Sequence, residues 1–208
     1  MNITKLMQIQ SDLNNFTLSE KGVQILDCKN PSMGLGQREG TYLRHKSELV
    51  HLIDMYQWAG NREFLELTEV FGQLSLTDSS SNTTTEQNIR MEIVDVLHFD
   101  LSLLILTKVE ASDIINLQIY GVSDPLKYLE ETRKQFDNLQ LRKWWTSNKV
   151  EIAEIRKRAI AQFLALINLA TARASIFRTY DEIETAYLEK VKINYDRIKG
   201  NYDHSKKA

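Results

Sequence analysis

The stretch 91–106, MEIVDVLHFDLSLLIL, constrains the fold more than any other. At 3.6 residues per turn its side chains are apolar on nearly every side, so it must be a helix covered by neighbours all round. Such a helix needs partners. Apolar residues recur at helical spacing over 3–16 (Ile3, Leu6, Met7, Ile9, Leu13, Phe16) and again over 41–58, 62–74, 125–139, 150–178 and 181–199. Only two prolines and eight glycines occur in 208 residues, too little punctuation for an all-β fold with many turns. The expected architecture is an all-α helical bundle of five or six helices, with residues 1–208 forming one domain.

The punctuation that exists divides the bundle. Residues 17–40 hold Gly22, Pro31, Gly34, Gly36 and Gly40 and read as irregular. Gly60-Asn61 reads as a break between two helices. TDSSSNTTTEQN, 77–88, reads as a mobile polar linker. Ser123-Asp124-Pro125 marks a helix start, Gly200 a helix stop, and DHSKKA a frayed tail.

Charge narrows the function classes. The 26 basic residues against 28 acidic ones leave a net charge of −2, so the bulk basic field of a nucleic-acid binder is absent. The single cysteine, Cys28, cannot form an internal disulfide. No window reaches 18 uninterrupted apolar residues, and MNITKLMQIQSDLNN lacks a signal-peptide core. The expectation is a cytoplasmic protein acting neither on membranes nor on nucleic acid.

Glu92 and Asp95 lie three apart, on one face of the apolar helix. Two ionised carboxylates there are costly unless something cationic compensates them. A hard divalent cation would do so, since Mg²⁺ favours carboxylate oxygens and bridges to phosphates. Arg or Lys from a neighbouring helix would serve equally. Upstream, Glu48 and His51 are also three apart, on the face continued by Leu52 and Met55. His51 reads either as a metal ligand or general base, or as a hydrogen-bonded core residue. Glu66 and Glu69 form a further Glu-x-x-Glu pair that reads either as a solvated face or as a substitute for the Glu48/His51 pair. His98 lies off the Glu92/Asp95 face, so a supporting or packing role is expected.

Four blocks, in order, resemble one family. EIVDVLHFDLSLL is similar to the Glu-x-Val-Asp-Ile-Leu-His-Phe signature of the dimeric all-α dUTPases, relatives of the MazG-type nucleotide pyrophosphatases. Glu48, Asp54 and Trp58 sit where that family has Glu-x-x-Glu-Leu-x-Asp-x-x-x-Trp. Gln10-Ser-Asp-Leu-Asn14 resembles its Gln-x-x-Leu-Asn block. AYLEKVKINYDRIKGNY resembles its Tyr-x-x-Lys-x-x-x-Asn-x-x-Arg-Gln-x-x-Gly-Tyr ending.

The resemblance implies a homodimer that hydrolyses a deoxynucleoside triphosphate, dUTP first, to the monophosphate and pyrophosphate with Mg²⁺ or Mn²⁺. It implies Glu48, Glu92 and Asp95 as metal ligands, with Glu48 and His51 in the catalytic positions. Gln10 and Asn14 would approach the base or sugar. Trp58, Lys190, Asn194, Arg197 and Tyr202 would complete the substrate site. The chain departs from the pattern at four places. His51 stands for the second Glu, Ile198 for the Gln, and Asn201 for the Gly. The Trp-Lys-x-Trp run is reduced to Trp58-Ala59-Gly60, and Lys143-Trp144-Trp145, much later, reads as a lid, an interface or core. Imidazole is a poorer partner for Mg²⁺ than carboxylate. His51 therefore motivates an alternative, a degenerate relative that binds nucleotide or a protein partner without turnover.

Overall fold

A computed structural model describes residues 1–20, 39–76, 82–115, 117, 122–139, 152–172 and 176–200; side chains 18–20, 39–48, 73–76, 82–83 and 152 fall outside the description. Among the described residues there are seven helices and no strand: α1 (Ile3–Glu20), α2 (Glu39–Leu76), α3 (Asn82–Leu106), α4 (Ala111–Ile115), α5 (Pro125–Asp137), α6 (Ile152–Ala172) and α7 (Tyr180–Ile198). The all-α reading holds.

The apolar helix is the centre. α3 packs against α1, α2, α6 and α7, and Ile89, Ile93, Val96, Leu97, Leu101 and Leu104 along it are fully buried. No single face of α3 could satisfy four neighbours, which is why its apolar residues show no single stripe. α5 lies on α6 and reaches α2, and α1 touches α7. Leu6, Leu67, Phe136, Phe163 and Tyr187 fill the core from those helices.

Four boundaries differ from the sequence expectations. Gly60-Asn61 does not break α2, which runs through it. The glycine is there because α3 comes close: a Cβ at position 60 would stand 3.0 Å from Phe99 Cβ and 3.3 Å from an Arg133 terminal nitrogen. Its helix-propensity cost of about 1 kcal/mol is offset by that close crossing. The polar run 77–88 is helical from Asn82 onward; residues 77–81 lie outside the described ones. Threonines, which are poor helix formers, are carried by the buried residues from Ile89 on, an override of local propensity by packing. The long helix expected to reach 178 is described as ending at Ala172, and 176–179 form the turn into α7. Buried Ile176 and Phe177 pin this turn. Thr179 then caps α7 by accepting from the Glu182 N–H, and the Glu182 carboxylate accepts from the Arg178 N–H. At the other end Gly200 sits at φ 72° just past α7, a stop conformation that glycine adopts freely. The start of α5 is as expected, with Asp124 as the capping side chain ahead of Pro125. The loop expected over 17–40 differs too: α1 continues to Glu20, and 21–38 lie outside the described residues.

Candidate active site

Three carboxylates converge where α2 passes α3. Glu63 comes from α2, Glu92 and Asp95 from α3, and one oxygen of each lies within 4.8 Å of the others. Antiparallel packing explains the meeting. Gly60 faces Phe99; roughly one turn onward along α2 is Glu63, and roughly one turn back along α3 is Asp95. All three are half-buried.

Their acidities report the crowding. Burial, then the charges of Asp95, Glu66 and Glu63, push Glu92 up to about 7. Glu63 is raised by burial first, then by Asp95 and Glu66. Asp95 is raised by burial despite the pull of Lys190 and Arg197. Lys190 of α7 donates from Nζ to Asp95 at 2.6 Å. Glu92 Oε2 is buried without a hydrogen-bond partner. A buried acceptor left empty beside two other carboxylates is a donor set short of positive charge. Its all-oxygen chemistry fits a hard divalent cation.

A cavity of about 280 Å³ opens between α1, α2, α3 and α7, beginning about one turn along α3 from Asp95, with Asn14, Tyr56, His98, Phe99, Asn194 and Arg197 among its walls. Its floor is a directed chain of hydrogen bonds. Tyr187 donates to Gln10 Oε1 at 2.6 Å, and His98 Nδ1 meets the same oxygen at 2.7 Å. Gln10 Nε2 donates to Asn14 Oδ1 at 2.7 Å, and Asn14 Nδ2 to Ser102 Oγ at 3.1 Å. An amide oxygen only accepts, so His98 Nδ1 carries the hydrogen and Nε2 keeps its lone pair. Burial, with help from Lys190, lowers the His98 pKa to about 3, so the ring is neutral at pH 7. Its Nε2 is buried without a partner.

A family model described as dUTPase matches residues 64–202, two thirds of the chain. The chain belongs to the dUTPase family. Hydrolysis of nucleotides is thereby its class of chemistry. In this dUTPase-family chain the matched span includes Glu92, Asp95, His98 and Lys190 and begins one residue after Glu63. No curated protein and no solved structure matches.

The structure places the expected site residues as follows. Glu92 and Asp95 stand together, with Lys190 on Asp95. Asn14, Asn194 and Arg197 line the cavity, as does Gln10. Gln10 is almost wholly buried, and its oxygen is already taken by His98 and Tyr187, so it holds other residues in place. His51 is exposed, twelve residues before Glu63 on α2, or about 18 Å along the helix axis. Glu48 lies a turn further away on the same helix, its side chain outside the described residues. Trp58 is 59% exposed and is not among the cavity walls. Tyr202, Lys143-Trp144-Trp145 and Cys28 lie outside the described residues.

Glu63 was not singled out by sequence reasoning, and Glu66 was read, with Glu69, as a solvated face or as a substitute for the Glu48/His51 pair. Glu66 is half exposed and 3.8 Å from Arg62, yet its charge acts on Glu63, Glu92 and Asp95. The available signal was the pair Glu63-x-x-Glu66 preceding Glu92-x-x-Asp95 across a short connection. A helical hairpin brings two such pairs face to face. Tyr187 lies at the head of the C-terminal block and Ser102 inside the EIVDVLHFDLSLL segment, but neither was given a role.

Proposed function

We propose that this chain hydrolyses dUTP to dUMP and pyrophosphate, with Glu63, Glu92 and Asp95 holding Mg²⁺ or Mn²⁺. The observation that carries the reading is the juxtaposition of this carboxylate set with a cavity containing a neutral histidine. A bound divalent cation would neutralise polyphosphate charge and make a coordinated water more acidic. The chain's own residues do the rest. Lys190, Asn194 and Arg197 occupy one face of α7 at four- and three-residue steps, and run from Asp95 to the cavity wall. They present two cations and an amide to phosphate oxygens. Glu66, at the solvent edge of the cluster, takes the proton of the water that attacks the α-phosphorus in line with departing pyrophosphate. Positioning and charge suffice, and no covalent nucleophile is needed.

His98 supports uracil over cytosine. Uracil offers an N3–H donor, whereas cytosine offers a lone pair at the same position. The Nε2 lone pair of neutral His98, covered in the ligand-free protein, would match the first and repel the second on being uncovered toward the base. Asn14 adds an amide for a base carbonyl, and Phe99 and Tyr56 add apolar walls. The non-catalytic alternative rested on His51, which is not one of the clustered acids, so the catalytic reading is the one adopted.

We further propose that the protein is a homodimer through α2. His51, Met55, Trp58, Arg62, Leu65 and Glu69 are exposed and repeat at alternating steps of four and three, the spacing of a helix–helix seam. Met55, Trp58 and Leu65 are large apolar residues in that row. No helix among the described residues is long and apolar enough to cross a membrane.

The test is pyrophosphate release from each dNTP with Mg²⁺ or Mn²⁺. Turnover led by dUTP is expected. Absence of turnover with every nucleotide and both ions rejects the catalytic reading.

A further inference from the structure

A second polar cluster lies away from the cavity, inside the contact between α2, α3, α5 and α6. Asp100 of α3 and Arg133 of α5 form an ion pair at 2.8 Å, with side chains 0% and 3% exposed. The other terminal nitrogen of Arg133 donates to Asn61 Oδ1 on α2 at 3.1 Å. Gln162 of α6 donates to the same Asp100 oxygen at 2.7 Å. Asn61 in turn donates to both oxygens of Asp137, at 3.0 and 2.9 Å, closing the link from α2 back to α5.

This arrangement is poorly optimised for stability. Asp100 Oδ2, Arg133 Nε and Gln162 Oε1 are all buried without partners. Buried ion pairs of this kind are often matched or bettered by apolar side chains of similar size, and their best-attested use is to fix register. The register at stake is that of α2 on α3. Asn61 adjoins Gly60, where the two helices cross closest to Arg133, and Asp100 adjoins Phe99, the residue Gly60 faces. The next turn of each helix carries Glu63 and Asp95.

We propose that Arg133 is a positioning residue: by gripping Asn61 with one nitrogen and Asp100 with the other, it sets the register at which Glu63 meets Glu92 and Asp95. It touches neither substrate nor cation. It acts by keeping three acids within one ion's reach, where a slide of α2 along α3 would part them. The proposal rests on the reading of that cluster as a cation site.

The experiment compares full-length wild type with Arg133→Met/Asp100→Leu, using Mn²⁺ alone as the probe. Urea unfolding without metal gives stability, and electron paramagnetic resonance of free Mn²⁺ gives Kd. The double variant is expected to match or exceed wild-type stability yet bind Mn²⁺ at least ~10-fold more weakly, the loss usual when residues supporting metal ligands are removed. Arg133→Lys keeps a cation on Asp100 but lacks the fork, so it should retain stability and still bind weakly. Wild-type Mn²⁺ affinity in the stable double variant overturns the proposal and leaves the cation site intact. Failure of wild type to bind Mn²⁺ overturns the site itself, and the proposal with it. If the double variant does not fold, Asn61→Ala decides: it removes the α2 end of the grip, and an unchanged Kd overturns the proposal.

Discussion

Replacing His98 with asparagine should remove a large part of the protein's sensitivity to mild acid. The side chain is buried and its folded-state pKa lies at about 3, against 6.5 in the unfolded chain. A depressed folded pKa means that the unfolded state binds the proton first. The neutral ring's contribution is therefore complete above pH 6.5 and is lost progressively as pH falls toward 3. Each unit of that interval is worth about 1.4 kcal/mol. At pH 5 the unfolded state gains about 2 kcal/mol on the native one, and below pH 3 the loss reaches nearly 5 kcal/mol. Asparagine can still donate to Gln10 Oε1 and does not titrate. The variant should be less stable at pH 7.5, having lost ring packing against Tyr187, where the centroids are 4.6 Å apart. Between pH 7.5 and 5, however, it should lose about 2 kcal/mol less than wild type. Urea unfolding at several pH values measures this, and taking the difference cancels the titration of Glu92 and the other shared acids. Parallel pH curves for the two proteins would refute the reasoning. So would an imidazole resonance for His98 that titrates near pH 6.5.

Three further outcomes follow from the same geometry. Mn²⁺ affinity should rise about 10-fold from pH 6 to pH 8, because Glu92, at about 7 in the metal-free protein, must lose its proton before it can ligate; Mn²⁺ titrations at both pH values check it, and a flat profile counts against Glu92 as a ligand. Gly60→Ala should destabilise by about 1–3 kcal/mol despite alanine's better helix propensity, since its Cβ meets Phe99 Cβ at 3.0 Å; chemical denaturation gives the sign. Lys190→Met should cost about 1.5–3 kcal/mol without metal, the worth of a hydrogen bond between charged groups. The pair it breaks is about four-fifths shielded from solvent. Mn²⁺ should then raise the variant's Tm by more than wild type's, having taken over compensation of Asp95.

The fold was legible because α3 announces itself. A run apolar on every side admits few structures, and the helical spacing elsewhere supplied its neighbours. Boundaries were harder wherever tertiary contact overrode local preference. Gly60 looks like a break in one dimension and is a close crossing in three. The threonines before Ile89 look like a linker and form the first turns of α3. The stop before Thr179 was written in the capping pattern Thr179-x-x-Glu182, which a long run of helical periodicity hides.

The site was half legible for a related reason. Glu92 and Asp95 stand out because a carboxylate on an apolar helix needs a reason to be there. Their partner on α2 does not stand out, because Glu48, Glu63, Glu66 and Glu69 all sit on a helix rich in polar residues. What selects among them is the pairing of an antiparallel hairpin, in which each step forward on α2 is a step backward on α3. Once Gly60 is opposite Phe99, Glu63 must fall opposite Asp95 and Glu66 near Glu92. In the same register Glu48 and His51 fall beyond the C-terminal end of α3 at Leu106, where it has no carboxylate to offer. A single helix–helix contact thus converts an ambiguous spacing into a site, and the close approach that creates the contact depends on a residue with no side chain.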